Sequence, residues 1–462
     1  MPVSRAKLFA RTLASRTQGR LYDLRDAPID ASAGDTRRSH ARHWSGRLAE
    51  RVDAFGHHAI AGLAFAAPVS TALANVMLAL VFVCWLAGGR YREKLRCFID
   101  SPIAFAALLL FAWLALSLAW ADGFGPDQRE FLHKYADLLL MSVFLWFLLD
   151  PRHRARALAG FAAAMLLTLA LSYAVAAGLL PAANWLRAQP GNAVVFKLHI
   201  THGLLMALAS LLFSLYAAEA ATAGRRLVAS AWAIACLLAL VNVLFMVQGR
   251  TGYVVLATFI VLVFALRAGW RGLAIAGVLV CVAATAIYQG YQPLRQRIDI
   301  GLSELSKWNP ATPARDDSSV GRRLEFLSEG LALVRERPLL GQGLGDFAAA
   351  YRRQIEGTGK APTSNPHNEA LLLAVQAGIP AVLLYLYLLG RTALAGRQLP
   401  TLHERVLAPA LVLWMSIGGL FNALLIDHTE SLLFTLLLGL LAAAGLHRAP
   451  PRGLGTAGAA SP

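Results

Sequence analysis

The stretch "TSNPHNEALLL", residues 363–373, joins a long polar segment to an apolar run of membrane length. Roughly 20 apolar residues cross a bilayer as an α-helix. The chain has 462 residues, 57% of them hydrophobic, and apolar runs recur along most of its length. This composition predicts an all-α polytopic membrane protein and argues against a soluble enzyme with a single anchor.

Ten apolar runs are long enough to be membrane spans. They are residues 102–121, 133–149, 155–178, 200–219, 226–247, 251–267, 271–290, 368–389, 406–424 and 430–447. A further run, 58–88, is interrupted near Pro68, which predicts a hairpin of two short or tilted helices. The sequence therefore predicts about twelve transmembrane helices.

The charge distribution predicts the orientation of these helices. The net charge is +16, and with twelve crossings sixteen Lys and Arg residues fall in short loops on the side of the N-terminus. Cytoplasmic loops collect Lys and Arg, so both termini are expected in the cytoplasm. The expected organisation is a basic, mostly disordered cytoplasmic tail over 1–55, helices 1–9 over 56–290, one large helical periplasmic loop over 291–367, helices 10–12 over 368–447, and a cytoplasmic tail over 448–462.

The sequence of the large loop predicts an amphipathic helix followed by a glycine-rich turn. Ser318 or Ser319 can cap this helix, and Pro338 ends it. At the end of the loop, Asn365 is an expected N-cap and Pro366 an expected first helical residue. His367 would then lie in the first turn, where the helix dipole disfavours the imidazolium and favours a neutral proton acceptor. An interfacial histidine that only completes the helix end is the alternative.

Arginines mark two further sites. Arg250, in "FMVQGRTGY", lies in a short hairpin between two apolar runs on the predicted outer side. An arginine so close to the bilayer core marks a ligand site or anchors the loop among lipid head groups. Arg322 and Arg323, in "GRRLEF", begin a helix where cations are unfavourable, so a phosphate, or Asp316 and Asp317, would compensate them.

Weaker signals surround these positions. Lys197, His199 and His202, in "FKLHITHGLL", are expected to form a polar rim that binds substrate, with Asn368 beside His367. Asp427 or His428 is a further candidate for this rim. Too few ligands lie nearby for a metal site, and no Walker sequence occurs. The expectation is therefore an enzyme without metal or other cofactor, and nucleic acid is not an expected partner despite the basic charge.

Taken together, these features resemble the O-antigen ligase and polymerase family of bacterial inner-membrane glycosyltransferases. The resemblance rests on the number of spans, the late periplasmic loop, "QGRTGY" with Arg250, "GRRLEF" with Arg323, and "PHNEALLLAVQAG" with His367. It implies the lipid-dependent (GT-C-like) fold class and a periplasmic active site. His367 would be the general base, and Arg250 and Arg323 would hold the diphosphate leaving group.

The resemblance implies ligation of polysaccharide from undecaprenyl diphosphate to lipid A–core oligosaccharide, with inversion at the sugar carbon. Two alternatives stay open within this chemistry: a polymerase that joins lipid-linked repeat units, and transfer of the glycan to protein. A flippase for lipid-linked oligosaccharide is an alternative of another class. It would need charged residues along a path through the membrane, whereas the unusual residues here gather on one predicted surface.

Overall fold

A computed structural model describes residues 36–181, 183, 186–188, 191–314 and 318–446. Its described residues are organised as α-helices. They are α1 Thr36–Val69, α2 Thr71–Ala87, α3 Tyr91–Asp100, α4 Pro102–Leu116, α5 Pro126–Tyr135, α6 Asp137–Phe147, α7 Pro151–Ala176, α8 His199–Thr222, α9 Arg226–Val241, α10 Arg250–Gly290, α11 Gln292–Lys307, α12 Ser319–Glu336, α13 Phe347–Gln354, α14 Glu369–Gly396, α15 Leu402–Gly419 and α16 His428–Leu446.

Two compact units are distinguished, Met1–Glu50 and Arg51–Pro462. Within the described part of the first unit, the chain is helical from Thr36 onwards. Helix α1 begins within the predicted tail, at Thr36. That the tail is mostly disordered stays a prediction, because the rest of it, like the predicted C-terminal tail, lies outside the described residues. All contacts given below lie within the second unit.

Seven described helices are long and apolar enough to cross a membrane, and the bent pair α2 and α3 makes up to eight. This confirms an all-helical protein with several membrane spans, while the total of twelve crossings stays a prediction. The predicted run 133–149 divides into α5 and α6. The runs 251–267 and 271–290 both lie in α10, whose backbone leaves helical geometry at Ala268 and Gly269.

The interruption predicted in the run 58–88 is present. Pro68 lies in the last turn of α1, which ends at Val69, and α2 begins at Thr71. Between them, Ser70 caps α2 by accepting a hydrogen bond from the Leu73 N–H. The following helix, α3, is bent by 113° from α2.

Helix α16 occupies the centre of the bundle and α9 its periphery. Buried residues make up 89% of the apolar stretch of α16 but 17% of that around α9. Close contacts of α16 with α6 depend on Gly439, where an added Cβ would lie 2.9 Å from the Phe144 Cβ. The residues just before α16 are therefore held by a rigid, buried helix.

Helix α14 is broken, and the glycine-rich turn fills the break. Ala377 and Gly378 have non-helical backbone angles, with Gly378 at φ 77° and ψ 177°. The carbonyls of Val375 and Gln376, two buried residues, accept hydrogen bonds from the N–H groups of Gln342 and Gly343, at 2.7 and 2.9 Å. The turn after α12 thus satisfies backbone groups that the broken helix leaves free.

The predicted amphipathic helix of the large loop is α12, and its predicted ends are confirmed. Ser318 accepts a hydrogen bond from the Gly321 N–H at 3.0 Å, and the helix ends at Glu336, just before Pro338. Its Gly330 packs against Leu371 of α14, where an added Cβ would lie 2.7 Å from a leucine methyl. The loop therefore packs directly on the bundle beside the start of α14.

Candidate active site

His367 precedes α14 instead of lying in its first turn. The N-cap is Asn368, which accepts a hydrogen bond from the Leu371 N–H at 2.9 Å. The expectation that Asn365 is the N-cap is wrong, because its side chain accepts the His367 N–H at 2.8 Å in a local turn. His367 adopts φ 54°, a left-handed conformation that is uncommon for a residue other than glycine. The turn therefore places His367 before the N-cap of α14, outside the helical backbone.

Two polar residues orient the imidazole ring. His367 Nδ1 lies 3.1 Å from Asn422 Oδ1, and Asn422 Nδ2 donates a hydrogen bond of 2.5 Å to Asp427 Oδ2. A carboxylate accepts hydrogen bonds, so the amide NH₂ of Asn422 faces Asp427 and its oxygen faces the ring. Nδ1 must then carry the proton, which leaves Nε2 as a bare acceptor. This is the tautomer that a general base needs.

Asp427 lies at the end of this chain of hydrogen bonds. Burial raises the pKa of its carboxyl group, while the hydrogen bond from Asn422 and electrostatic interactions with Lys134 and His367 lower that pKa. His367 and Asp427 therefore interact electrostatically as well as through Asn422. Asp427 was expected only as a rim residue, and the structure instead connects it to the histidine.

Arg323 reaches the same region from α12. Phe326 lies three residues after Arg323, so both side chains share one face of the helix. The Phe326 ring is buried, and its centroid lies 6.2 Å from that of His367. Arg323 is therefore separated from the histidine by about one helical turn and one aromatic ring.

Arg250 approaches Arg323 from the start of α10. Burial and the positive charge of Arg250 both lower the pKa of Arg323. Two neighbouring guanidinium groups repel each other, and a bound anion offsets this repulsion. Among the described residues, no carboxylate forms an ion pair with either arginine. Asp316 and Asp317, the predicted alternative partners, lie outside the described residues.

The backbone of His199 lies beside Gly249, the residue before Arg250, and the expected place of His199 in the rim stays a prediction. An added Cβ on Gly249 would lie 2.9 Å from the His199 carbonyl oxygen, so only a glycine fits between the start of α10 and the start of α8. The charges of Arg323 and Arg297 act on the His199 ring. Arg297, on α11, is a third cation of this region that the sequence patterns did not single out.

His202 lies in the core, and its expected role in substrate binding stays a prediction. Its side chain is buried, and both ring nitrogens are occupied. The Val195 N–H donates to Nδ1 at 3.2 Å, and Nε2 lies 3.0 Å from Asn242 Oδ1. His199 and His202 share a helix face as predicted, but they do not share a site.

Lys197 belongs to a different cluster, next to α16. Its amine donates to Thr71 Oγ1 at 3.3 Å, and the charge of Glu430 acts on it. Burial lowers the pKa of Lys197 to about 8, with Glu430 opposing the shift. No described contact places Lys197 beside Arg250 or Arg323, so its expected role at the rim stays a prediction.

The remaining predicted contacts are Arg322 and Asn368. The Arg322 guanidinium stacks 5.9 Å from the Phe326 ring centroid, and its charge acts on Tyr351. Arg322 therefore lies beside the same aromatic ring as His367. Both ends of the Asn368 amide are engaged, with Nδ2 donating to the Leu420 carbonyl at 3.3 Å. Substrate binding by either residue stays a prediction.

No group of three or more His, Cys, Asp or Glu side chains in the described part of the chain has the arrangement to hold a metal ion. The described contacts orient the His367 imidazole beside Phe326 of α12, the helix that carries Arg323, and place Arg250 near Arg323; that all three form one site stays a prediction. Such a site suits removal of a proton at one end of a ligand and stabilisation of negative charge at the other.

Residues 234–386 match the family model Wzy_C, which describes the O-antigen ligases. The match supports the resemblance drawn from the sequence. It includes Arg250, Arg323 and His367, and it ends before Asn422 and Asp427. A search of curated proteins finds no match to the chain.

Proposed function

We propose, because residues 234–386 belong to the O-antigen ligase family, that this protein ligates a lipid-linked polysaccharide to lipid A–core oligosaccharide. The donor is a glycan on undecaprenyl diphosphate, and the acceptor is a sugar hydroxyl. The family match supports a glycosyltransferase that acts on lipid-linked polysaccharide; the donor, the acceptor and the roles of individual residues are parts of the proposal.

One observation carries the proposed mechanism: the hydrogen bond from His367 Nδ1 to Asn422 leaves Nε2 free to accept a proton. A sugar hydroxyl is a weak acid and must lose its proton as it attacks. Nε2 takes this proton while the hydroxyl oxygen bonds to the anomeric carbon of the donor. The bond from that carbon to the diphosphate oxygen breaks on the opposite side, so the sugar carbon is inverted.

The guanidinium groups serve the departing diphosphate. Negative charge grows on its phosphates as the bond to the sugar breaks, and planar guanidinium groups stabilise it through bidentate hydrogen bonds. Arg250 and Arg323 lie near each other without a described carboxylate partner, and the charge of Arg250 lowers the pKa of Arg323. A bound diphosphate would relieve this repulsion. No metal or other cofactor is required.

The proposed location is the periplasmic face of the bacterial inner membrane. Seven to eight apolar helices support a membrane protein with several spans. Lys and Arg in the short loops favour cytoplasmic termini, which puts residues 291–367 and the start of α14 outside. Both lipid substrates keep their tails in the bilayer while their head groups meet at this surface. We assign the fold on these grounds to the lipid-dependent (GT-C-like) class with about twelve spans.

Reconstituted transfer tests this proposal. Purified protein in liposomes is given the lipid-linked donor with either lipid A–core or a second lipid-linked unit as acceptor. Wild-type protein is expected to extend lipid A–core, and His367→Ala to lose at least roughly 10²-fold in rate. Arg250→Lys is expected to be impaired, because a point charge cannot replace the planar fork.

His58→Ala is the matched control, because His58 is exposed and lies in α1. It is expected to retain the wild-type rate, as is wild-type protein treated with a chelator. Extension of the second lipid-linked unit and not of lipid A–core would establish a polymerase instead. Full activity of His367→Ala would remove this residue as the base.

A further inference from the structure

Arg297 is a third guanidinium beside the proposed diphosphate site. It lies on α11, four residues before Gly301, so both residues share one face of that helix. An added Cβ on Gly301 would lie 3.4 Å from Arg250 Nη1. The Arg250 side chain therefore lies over the face of α11 that carries Arg297.

The same glycine joins this face to α12. An added Cβ on Gly301 would lie 3.6 Å from Val320 Cγ2, and Val320 is three residues before Arg323. Glu304, also on this face of α11, accepts a hydrogen bond of 2.8 Å from the Val320 N–H and fixes the two helices together. Arg250, Arg297 and Arg323 are thus gathered around Gly301 from three different helices.

Electrostatic contacts agree with this packing. The charge of Arg297 acts on His199 and Tyr253, the charge of Arg323 also acts on His199, and that of Arg250 also acts on Tyr253. These shared neighbours place the three guanidinium groups around one region. Among the described residues no carboxylate pairs with any of them.

Arg295 shows what an arginine without this role looks like. It lies on the same helix two residues away, so it points to another side. Its Nε lies 3.7 Å from Asp299 Oδ2, and its guanidinium stacks on Tyr288. Within the described part of the chain no carboxylate forms an ion pair with Arg297, although it is only half-buried and belongs to the same helix.

We infer that Arg297 binds the terminal phosphate of the lipid diphosphate as it leaves the sugar, an inference that rests on the proposed function. A sugar–diphosphate–lipid donor is a diester with two negative charges, which two guanidinium groups match. The released lipid diphosphate is a monoester, and its freed oxygen carries a third charge near neutral pH. A third guanidinium therefore gains most of its interaction in the transition state and product.

Interactions that strengthen in the transition state raise kcat and leave KM nearly unchanged. Arg297→Gln is therefore expected to lower kcat by roughly a hundredfold with KM for the donor within about twofold. Arg295→Gln, the matched control, is expected to retain the wild-type kcat. Equal melting temperatures of the two variants show that both are folded.

Two inhibitors separate the third charge from the other two. Farnesyl diphosphate is a monoester and carries the third negative charge. The methyl ester of farnesyl diphosphate is a diester and lacks that charge. Arg297→Gln is expected to weaken inhibition by the monoester roughly tenfold or more and by the diester less than twofold. Equal weakening for both probes, or a wild-type kcat, would overturn the inference.

This outcome is distinguishable from failure of the proposed function. If Arg250→Lys and His367→Ala lose transfer and Arg297→Gln does not, only the role of Arg297 is rejected. If wild-type protein does not transfer glycan to lipid A–core, the proposed ligation itself is rejected. Direct binding of the two farnesyl probes to purified protein, measured without turnover, then still reports whether Arg297 recognises the additional phosphate charge.

Discussion

At the scale of single residues, the proposed base catalysis depends on the orientation and tautomer of the His367 ring. Asn422 stands between the ring and Asp427, so it determines which nitrogen carries the proton. Removing the Asn422 amide frees the ring to take either tautomer and to rotate. The expected loss is in the chemical step, because Asn422 does not need to touch the substrate for this role.

Asn422→Ala is accordingly expected to lower kcat, by no more than the roughly 10²- to 10⁴-fold that a general base contributes. KM for the donor should change little. Single-turnover transfer by reconstituted protein measures this effect. Asn309→Ala, in an exposed position of the large loop, is the control. An unchanged rate in Asn422→Ala would show that the ring needs no such support.

The sequence predicts individual site residues where their chemistry is locally unusual. Arg250 stands out because it interrupts two apolar runs, and His367 because it adjoins the start of one. Asn422 carries no such signal, since only folding brings it to His367. His202 shows the converse limit: its spacing from His199 predicts a shared helix face, but not that His202 is buried while His199 is exposed.

At the scale of secondary structure elements, the break in α14 holds together the two helices next to the proposed site. Gly378 has φ 77° and ψ 177°, a region open essentially to glycine alone. An added Cβ would lie 2.2 Å from the Leu339 carbonyl oxygen, in the turn that follows α12. The break therefore connects α14, which follows His367, with α12, which carries Arg323.

Gly378→Ala is expected to destabilise the protein by more than about 1–3 kcal/mol, because steric overlap adds to the backbone strain. Gly390→Ala, in the same helix, is the matched control, since an added Cβ there meets no atom within 4 Å. Alanine has a higher helix propensity than glycine, so the Gly390→Ala variant is expected to be as stable as the wild type or slightly more stable. Thermal unfolding in detergent measures both. Equal melting temperatures would contradict the proposed support.

Helix ends were predictable where one residue dominates the signal. Ser318 and Pro338 bound α12 as expected. The start of α14 was misplaced because Asn365 and Asn368 are both good capping residues, and the choice depends on the turn that Asn365 makes with His367. The break at Gly378 could not be read from the apolar run, because its stability comes from distant backbone groups of the glycine-rich turn.

At the scale of the whole molecule, the proposed function requires residues 291–367 to lie outside the inner membrane. Composition predicts a membrane protein well, but the number of crossings depends on how short or broken helices such as α6 and α10 are counted. Labelling of single cysteines tests the orientation directly. The four native cysteines, Cys84, Cys97, Cys236 and Cys281, are first replaced.

Glu356→Cys, in the large loop, is expected to react with a membrane-impermeant maleimide in cells whose outer membrane is permeabilised. Arg92→Cys, in the basic segment of α3, is expected to react only after the inner membrane is broken. Both positions are exposed in the structure, so lack of reaction reports the membrane and not burial in the protein. Labelling of both in intact cells, or only of Arg92→Cys, would contradict the orientation.

In the proposed site a cluster of guanidinium groups binds one lipid diphosphate, and the His367 imidazole lies on the side of the sugar from which the acceptor hydroxyl attacks. A cryo-electron microscopy map of the protein in a lipid nanodisc with undecaprenyl diphosphate tests this arrangement most directly. The account predicts phosphate density in contact with Arg250 and Arg323, with His367 Nε2 facing the side from which a sugar would be attacked. Phosphate density elsewhere, for example beside Lys197, with these arginines empty, would contradict it.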